Sequence, residues 1–420
     1  MYFSAKDSVL KTLYDILIPV AGFIMKIIAL FNHKLKLGNK GRAEAFDTLK
    51  KAKLTQHKTI WFHCASLGEY EQGLPVFEVI RKDYPEHKIV LTFFSPSGYE
   101  IRKNTPIADV VTYLPLDTTS KAKRFMDLVN PELVLFVKYE IWPNYLNEIQ
   151  KRQSKAILIS ALFRANQTFF KWHGKWMQKY LKAFEHIFVQ NSTSMELLNA
   201  NGFDNVSISG DTRFDRVSNQ LDIDNTLDFI AEFKQNKTCI VAGSTWPEGE
   251  NYLVDYVNNH ATDDLKLIIA PHNIKAKQIQ SLKSAFNKTT VLFSEKDNSD
   301  LANANIFIID TIGLLSKIYS YADIAYVGGA IGNTGLHNTL EPATFGVPII
   351  IGPKHDKFPE ASEMINLGGM FSINSSETFS HKLQQLISDD ALRLQSGKYS
   401  ENYIKENKGA VIQIINYLRN

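Results

Sequence analysis

From Lys58 onward the chain alternates short, continuous apolar runs with longer helical stretches, and this alternation constrains the fold most. The first series of runs is Thr59–His63, Ile89–Phe94, Val110–Leu114, Leu133–Val137, Ala156–Ser160 and Ile187–Gln190. The second is Thr238–Ala242, Leu265–Ala270, Thr290–Phe293, Ile306–Ile309, Ile324–Val327 and Pro348–Ile351. Runs that are apolar throughout belong to strands covered on both faces, as in parallel sheets. The reading is therefore α/β: two doubly wound, Rossmann-like domains facing a central cleft, with the chemistry in the loops that follow strands. The polar stretch Gly210–Asn236 separates the two series and reads as a hinge. The expected boundaries are an N-terminal membrane-associated helix (1–35), a first domain (36–212), a linker (213–236) and a second domain (237–420), whose last helix is free to return to the first.

Composition narrows the class. With 44% apolar and 22% charged residues, the 420-residue chain is an ordinary globular one. Its two cysteines, Cys64 and Cys239, are too far apart in sequence for a CxxC pair, which excludes a disulfide scaffold and a zinc finger. The net charge of +3 is too small to indicate nucleic acid, and none is expected as a partner. That charge is unevenly spread: residues 1–58 carry +7 and residues 151–184 carry +8 with no acid. Two basic patches on an acidic body fit a polyanionic surface or substrate, or else solvated lysine-rich helix faces.

Leu10, Leu13, Leu17, Val20, Ile24, Ile27 and Phe31 recur at steps of three and four, the spacing of an apolar helix stripe. The longest uncharged stretch, Ile16–Met25, reaches only about 15 Å as helix, half the hydrocarbon thickness. A simple span is therefore not expected, and charges break any signal-peptide core. With Lys34, Lys36, Lys40 and Arg42 following, the segment reads as an in-plane anchor on an anionic leaflet, or as a helix packed on its own protein. Pro19 marks a kink or the true helix start.

Three loops stand out. His63-Cys64-Ala65-Ser66-Leu67-Gly68-Glu69 hands the first strand to a helix expected from Tyr70. A carboxylate at a helix N-terminus is expected to be ionised, as a general base requires, although Glu69 could equally be an ordinary first-turn residue and Ser66 only an N-cap. Gly243-Ser244-Thr245-Trp246 follows the first strand of the second half, where backbone N–H groups and the hydroxyls of Ser244 and Thr245 can meet an anion. Gly328 to Ala343 runs a strand through a glycine-rich loop into a helix, without the Lys-Ser/Thr of a P-loop. Glu341, about one turn into that helix, could accept from both ribose hydroxyls. Pro271-His272 and Ile312-Gly313-Leu314 are further candidates at strand ends, with His272 a cation or donor for a leaving phosphate. No spacing of His, Cys or acids indicates a metal site, and no cofactor is expected.

HCASLGE, Glu140-Ile141-Trp142-Pro143-Asn144, Gly210-Asp211-Thr212-Arg213-Phe214-Asp215, GSTWPEGE, APHN and GLHNTLEPATFGVP occur in this order. The order resembles the bacterial 3-deoxy-D-manno-octulosonic acid (Kdo) transferases of lipopolysaccharide synthesis, over nearly the whole chain. The resemblance implies a GT-B glycosyltransferase at the cytoplasmic face of the inner membrane. It implies CMP-Kdo as donor, the lipid A precursor as acceptor, and no metal. Glu69 matches the family's general base, and Arg213 a basic position that stabilises the transition state. Nucleotide contacts fall on Pro271, His272, Ile312, Gly313, Leu314, Asn338, Thr339, Leu340 and Glu341. Many members carry two carboxylates just ahead of Trp-Pro-Asn, whereas here Lys138 takes the first position and only Glu140 remains. A bisphosphorylated lipid acceptor fits both basic patches. Two other readings stay open: a GT-B enzyme using a nucleoside-diphosphate sugar, against which stands the absence of Arg and Lys from 328–345, and a non-catalytic membrane-tethered module.

Overall fold

The structure, a computed structural model, describes residues 5–420, with side chains from Ser8 onward. The chain divides into two compact units: unit 1 is the chain up to Arg216 together with Gly409–Asn420, and unit 2 is Val217–Lys408.

In unit 1 the strands are β1 (Thr59–Cys64), β2 (Lys88–Phe93), β3 (Val110–Tyr113), β4 (Leu133–Val137), β5 (Lys155–Ala161), β6 (His186–Val189) and β7 (Val206–Ile208). Among the described residues they form one seven-stranded sheet, ordered β3-β2-β1-β4-β5-β6-β7 and parallel throughout. Every residue of β1 and β4 is buried, as continuous apolar runs require. Trp61 packs on Phe125 and Phe136 on one face, and Phe62 stacks on Phe77 at 4.0 Å on the other. The helix Ala410–Arg419 adds Ile414, Ile415 and Leu418 to this second layer.

Unit 2 repeats the architecture with β8 (Thr238–Thr245), β9 (Leu265–Pro271), β10 (Thr290–Leu292), β11 (Ile306–Ile308), β12 (Ile324–Val327), β13 (Ile349–Ile351) and β14 (Met370–Ser372). The order is β10-β11-β9-β8-β12-β13-β14, again parallel. In each sheet the winding reverses beside the first strand, between β1 and β4 and between β8 and β12. Ligands of open α/β sheets bind outside the strand carboxyl ends at such switch points.

The structure departs from the sequence reading in three places. β7 and β14 do not appear as apolar runs, being three-residue edge strands with partly solvated side chains. The segment read as a polar hinge contains the helices Thr212–Ser218 and Asp228–Lys234, which bury Phe214, Val217, Ile230 and Phe233. The segment read as an N-terminal anchor opens into two helices, α1 (Ala5–Ile28), continuous through Pro19, and α2 (His33–Lys51), capped by the Asn32 side chain.

By length and composition, Ser8–Ile28 is sufficient to cross a membrane. Lys11, Tyr14 and Asp15 are engaged with the rest of unit 1. Tyr14 Oη donates to Asp117 Oδ2 at 2.8 Å, and Lys11 Nζ donates to Asn144 Oδ1 at 2.9 Å. The Asn144 amide donates to Asp15 Oδ1 at 3.1 Å, and a Cβ at Gly22 would lie 2.5 Å from Leu116. These contacts hold α1 along the unit, while Leu13, Ile16, Leu17, Val20, Phe23, Ile24 and Ile27 remain exposed.

Candidate functional site

The first cluster gathers at the β1/β4 switch point. The helix α3 (Leu67–Asp83) begins three residues earlier than the sequence indicated, with Ser66 at the cap position but making no side-chain cap bond. Glu69 is the third helical residue, and its Oε2 accepts the N–H of Ala65. Only 7% exposed, its carboxyl is pushed up to about 8 by burial and by the nearby charge of Glu140, against the pull of the Ala65 N–H and Lys138. Here the expectation of an ordinary ionised carboxylate fails: desolvation and a like charge outweigh the helix dipole.

Glu140 comes from the segment after β4. The Trp142 indole N–H is shared between Glu140 Oε2 at 2.9 Å and His63 Nε2 at 3.0 Å. An indole only donates, so Nε2 of the buried His63 accepts. In the neutral ring, Nδ1 carries the proton and donates to Thr92 Oγ1 at 2.9 Å. Lys138 sits at the end of β4 with φ of 74°, its ammonium 5.8 Å from the centre of the Tyr139 ring.

Arg213 lies elsewhere in unit 1. Its Nε donates to Asp211 Oδ2 at 2.8 Å, and its backbone N–H to Oδ1 at 2.9 Å. The buried Asp211 also accepts from Gln72, one turn along α3 from Glu69, at 3.1 Å. Glu69, Lys138 and Glu140 therefore share one electrostatic environment, and Arg213 is tied to the same helix through Asp211 and Gln72.

The second cluster forms at the β8/β12 switch point. Trp246 follows β8, His272 follows β9 and His337 lies in the loop after β12, so three rings come from neighbouring strand ends. Trp246 stacks on His272 at 4.7 Å, His272 lies 4.5 Å from His337, and the Trp246 N–H donates to His337 Nε2 at 3.0 Å. Burial lowers the pKa of His272, which makes it a neutral donor rather than a cation near pH 7. Burial and the neighbouring His272 bring His337 down to about 4. Ser244 adopts φ of 51°, and Gly328 packs so closely that a Cβ would lie 2.3 Å from the Ser244 carbonyl oxygen. The Thr245 hydroxyl is buried and donates to Glu250 Oε1 at 2.7 Å, so it is not offered to an anion as the sequence led us to expect.

The glycine-rich segment runs from β12 through an irregular loop into a helix, as the sequence indicates, but that helix is only Leu340–Thr344, and Glu341 is its second residue rather than about one turn in. The Leu340 N–H is taken by Asn338 Oδ1 at 3.1 Å, and Leu340 is buried. Glu341 is held from both sides, by Ser316 Oγ at 3.0 Å and the Asn338 amide at 3.0 Å. Thr339 is buried, Gly313 uses φ of 91°, Ile312 projects 85% exposed beside Leu314, and Pro271 ends β9. Among the described residues, no group of three His, Cys, Asp or Glu side chains is arranged to hold a metal.

The Trp–His pairs were not visible in the sequence, because their partners lie 79 and 91 positions apart. A tryptophan just after a strand, in both EIWPN and GSTWPEGE, was the available signal.

Residues 40–216 match the family model described as 3-deoxy-D-manno-octulosonic-acid transferase (kdotransferase). The chain is 26% identical over 413 residues to the 3-deoxy-D-manno-octulosonic acid transferase of Haemophilus influenzae, covering 94% of this chain and 95% of that one. It is 29% identical over 335 residues to the Aquifex aeolicus enzyme of the same name, covering 78% and 86%. Among solved structures it resembles UDP-GlcNAc 2-epimerase from Neisseria meningitidis bound to UDP-GlcNAc, with a TM-score of 0.60 at 15% identity, covering 86% of this chain and all of that one. That likeness concerns the fold, the two-sheet arrangement of GT-B proteins.

Proposed function

We propose, for a chain that belongs to the Kdo transferase family of glycosyltransferases, that it transfers Kdo from CMP-Kdo to the lipid A precursor, lipid IVA, with Glu69 as general base. The observation that carries this reading is the Glu69 carboxyl at the β1/β4 switch point, buried, held by the Ala65 N–H and made more basic by Glu140. A base poised near the working pH accepts a proton most effectively. Its carboxylate takes the proton of an acceptor sugar hydroxyl while that oxygen bonds to the anomeric carbon of Kdo. The bond from that carbon to the phosphate oxygen breaks, and CMP leaves with the electron pair.

CMP leaves as a monoester with less charge than a diphosphate, and neutral donors suffice for it, so the reaction as written uses no metal. Unit 2 supplies the nucleotide site: Pro271 and His272, Ile312 to Leu314, Asn338 to Glu341, and the turn at Ser244. The two hydrogen bonds that fix Glu341 support its meeting the ribose diol. Arg213, oriented by Asp211, offers its guanidinium to the developing charge. Lys138 is assigned the task of restraining the rise in Glu69 basicity.

The exposed apolar face of α1, followed by Lys34, Lys36, Lys40 and Arg42, supports a seat in the cytoplasmic leaflet of the inner membrane, where a lipid acceptor is reached. Full-length protein in detergent, given CMP-Kdo and lipid IVA, should yield a product heavier by Kdo together with free CMP. Release of UDP from a UDP-sugar, with CMP-Kdo left intact, would overturn the reading.

A further inference from the structure

We infer that the Nδ1–H of His337 donates a hydrogen bond to the phosphate of the bound nucleotide, and that Trp246 is the positioning residue that presents it. This rests on the CMP-donor reading above and adds a phosphate contact to that site.

The argument starts from the indole. Its N–H can only donate, so at 3.0 Å His337 Nε2 must accept, and the ring proton of a neutral imidazole then sits on Nδ1. Nδ1 makes no hydrogen bond among the described residues, and it is not among their buried unpaired atoms. A fixed donor with no protein partner thus faces solvent.

Its placement is equally determined. The His337 backbone N–H returns to the Gly328 carbonyl at 3.2 Å, closing the glycine loop onto the end of β12. Gly329 permits that closure: it has φ of 98°, and a Cβ there would lie 2.0 Å from the Gly335 carbonyl oxygen and 2.9 Å from the His337 ring. On the other side, His272 and Trp246 pack against the imidazole and limit its rotation. The donor is therefore preorganised beside the switch point of the nucleotide-binding sheet. Of the groups in a cytidine monophosphate, the phosphate oxygens are the charged acceptors and gain most from such a donor.

The test compares ligands with and without the phosphate. Calorimetry on the full chain in detergent should show His337→Gln, which keeps the acceptor for Trp246 but loses the Nδ1 donor, weakening CMP about 10-fold. Cytidine affinity should stay unchanged, which also reports an intact fold. His337→Asn, whose amide nitrogen stands near the Nδ1 position, should restore CMP binding to within about 3-fold of wild type. Trp246→Phe keeps a ring in the stack but releases the tautomer, and should lower CMP affinity selectively. Equal losses for CMP and cytidine, or no loss of CMP binding in His337→Gln, would overturn the assignment. A wild-type protein that bound no CMP would refute the donor reading and this contact with it.

Discussion

The Trp142 indole donates to His63 Nε2 at 3.0 Å across the β1/β4 switch point, and the same bond, Trp246 to His337 at 3.0 Å, crosses the β8/β12 switch point. In unit 1 the bond helps fix Glu140, because one indole hydrogen serves both the imidazole and the carboxylate. Glu140 in turn raises Glu69. In unit 2 the bond sets the tautomer of a histidine that faces solvent.

The raised carboxyl of Glu69 sets the pH dependence. Below about 8 the group is mostly protonated and cannot accept a proton, so kcat/KM should climb with pH and level off above that value. Glu140→Gln removes the second-largest cause of the shift, while burial, the largest, remains. The rising limb should therefore move to lower pH by up to about one unit without reaching the ordinary carboxylate range. Initial rates across pH 5–10 check this, and an unmoved limb would argue against the coupling.

Glu69→Gln should lower kcat by about 10²–10⁴-fold and leave CMP affinity unchanged. It should also stabilise the fold at alkaline pH. A carboxyl raised in the folded state favours folding below its unfolded value and opposes it increasingly as pH rises towards about 8. Thermal melts at pH 5 and pH 8.5 should show a gain of roughly 2–4 °C for the variant at the higher pH only.

Arg213→Ala should cost about 10²-fold in kcat, the scale of a lost transition-state donor, with little change in CMP affinity. Asp211→Asn keeps the guanidinium but weakens its anchor. It should give a smaller loss in kcat, and steady-state kinetics on both variants test that order.

Val20→Asp with Phe23→Asp places charge on the exposed face of α1. Activity on acceptor embedded in anionic vesicles should fall about 10-fold more than activity on detergent-dispersed acceptor. Vesicle flotation should show the same loss, and equal effects in both settings would count against the membrane role of that face.

Interior architecture was legible because buried parallel strands announce themselves: β4 and β12 have the limits their apolar runs imply. β7 and β14 lie at sheet edges, where half the side chains meet water and no run forms. The position of Glu69 could be read from the strand-to-helix handover, but its basicity could not, since that depends on burial within the fold and on Glu140, 71 positions away in sequence. The packing role of the glycines between 328 and 335 was not legible, because glycine marks close approach as readily as anion binding. Here Gly328 and Gly329 serve packing against Ser244 and Gly335.

The helix Ala410–Arg419 belongs to unit 1, yet it is translated after all of unit 2. Asp215 secures its start by accepting the N–H groups of Gly409 and Ala410, and Ile414, Ile415 and Leu418 then cover the sheet layer that includes Phe62 and Phe77. On the ribosome, the half of the molecule that begins first therefore finishes last. Until then the part of that layer covered by Ile414, Ile415 and Leu418 stays open to water, and transiently exposed apolar surface of this kind is what chaperones shield.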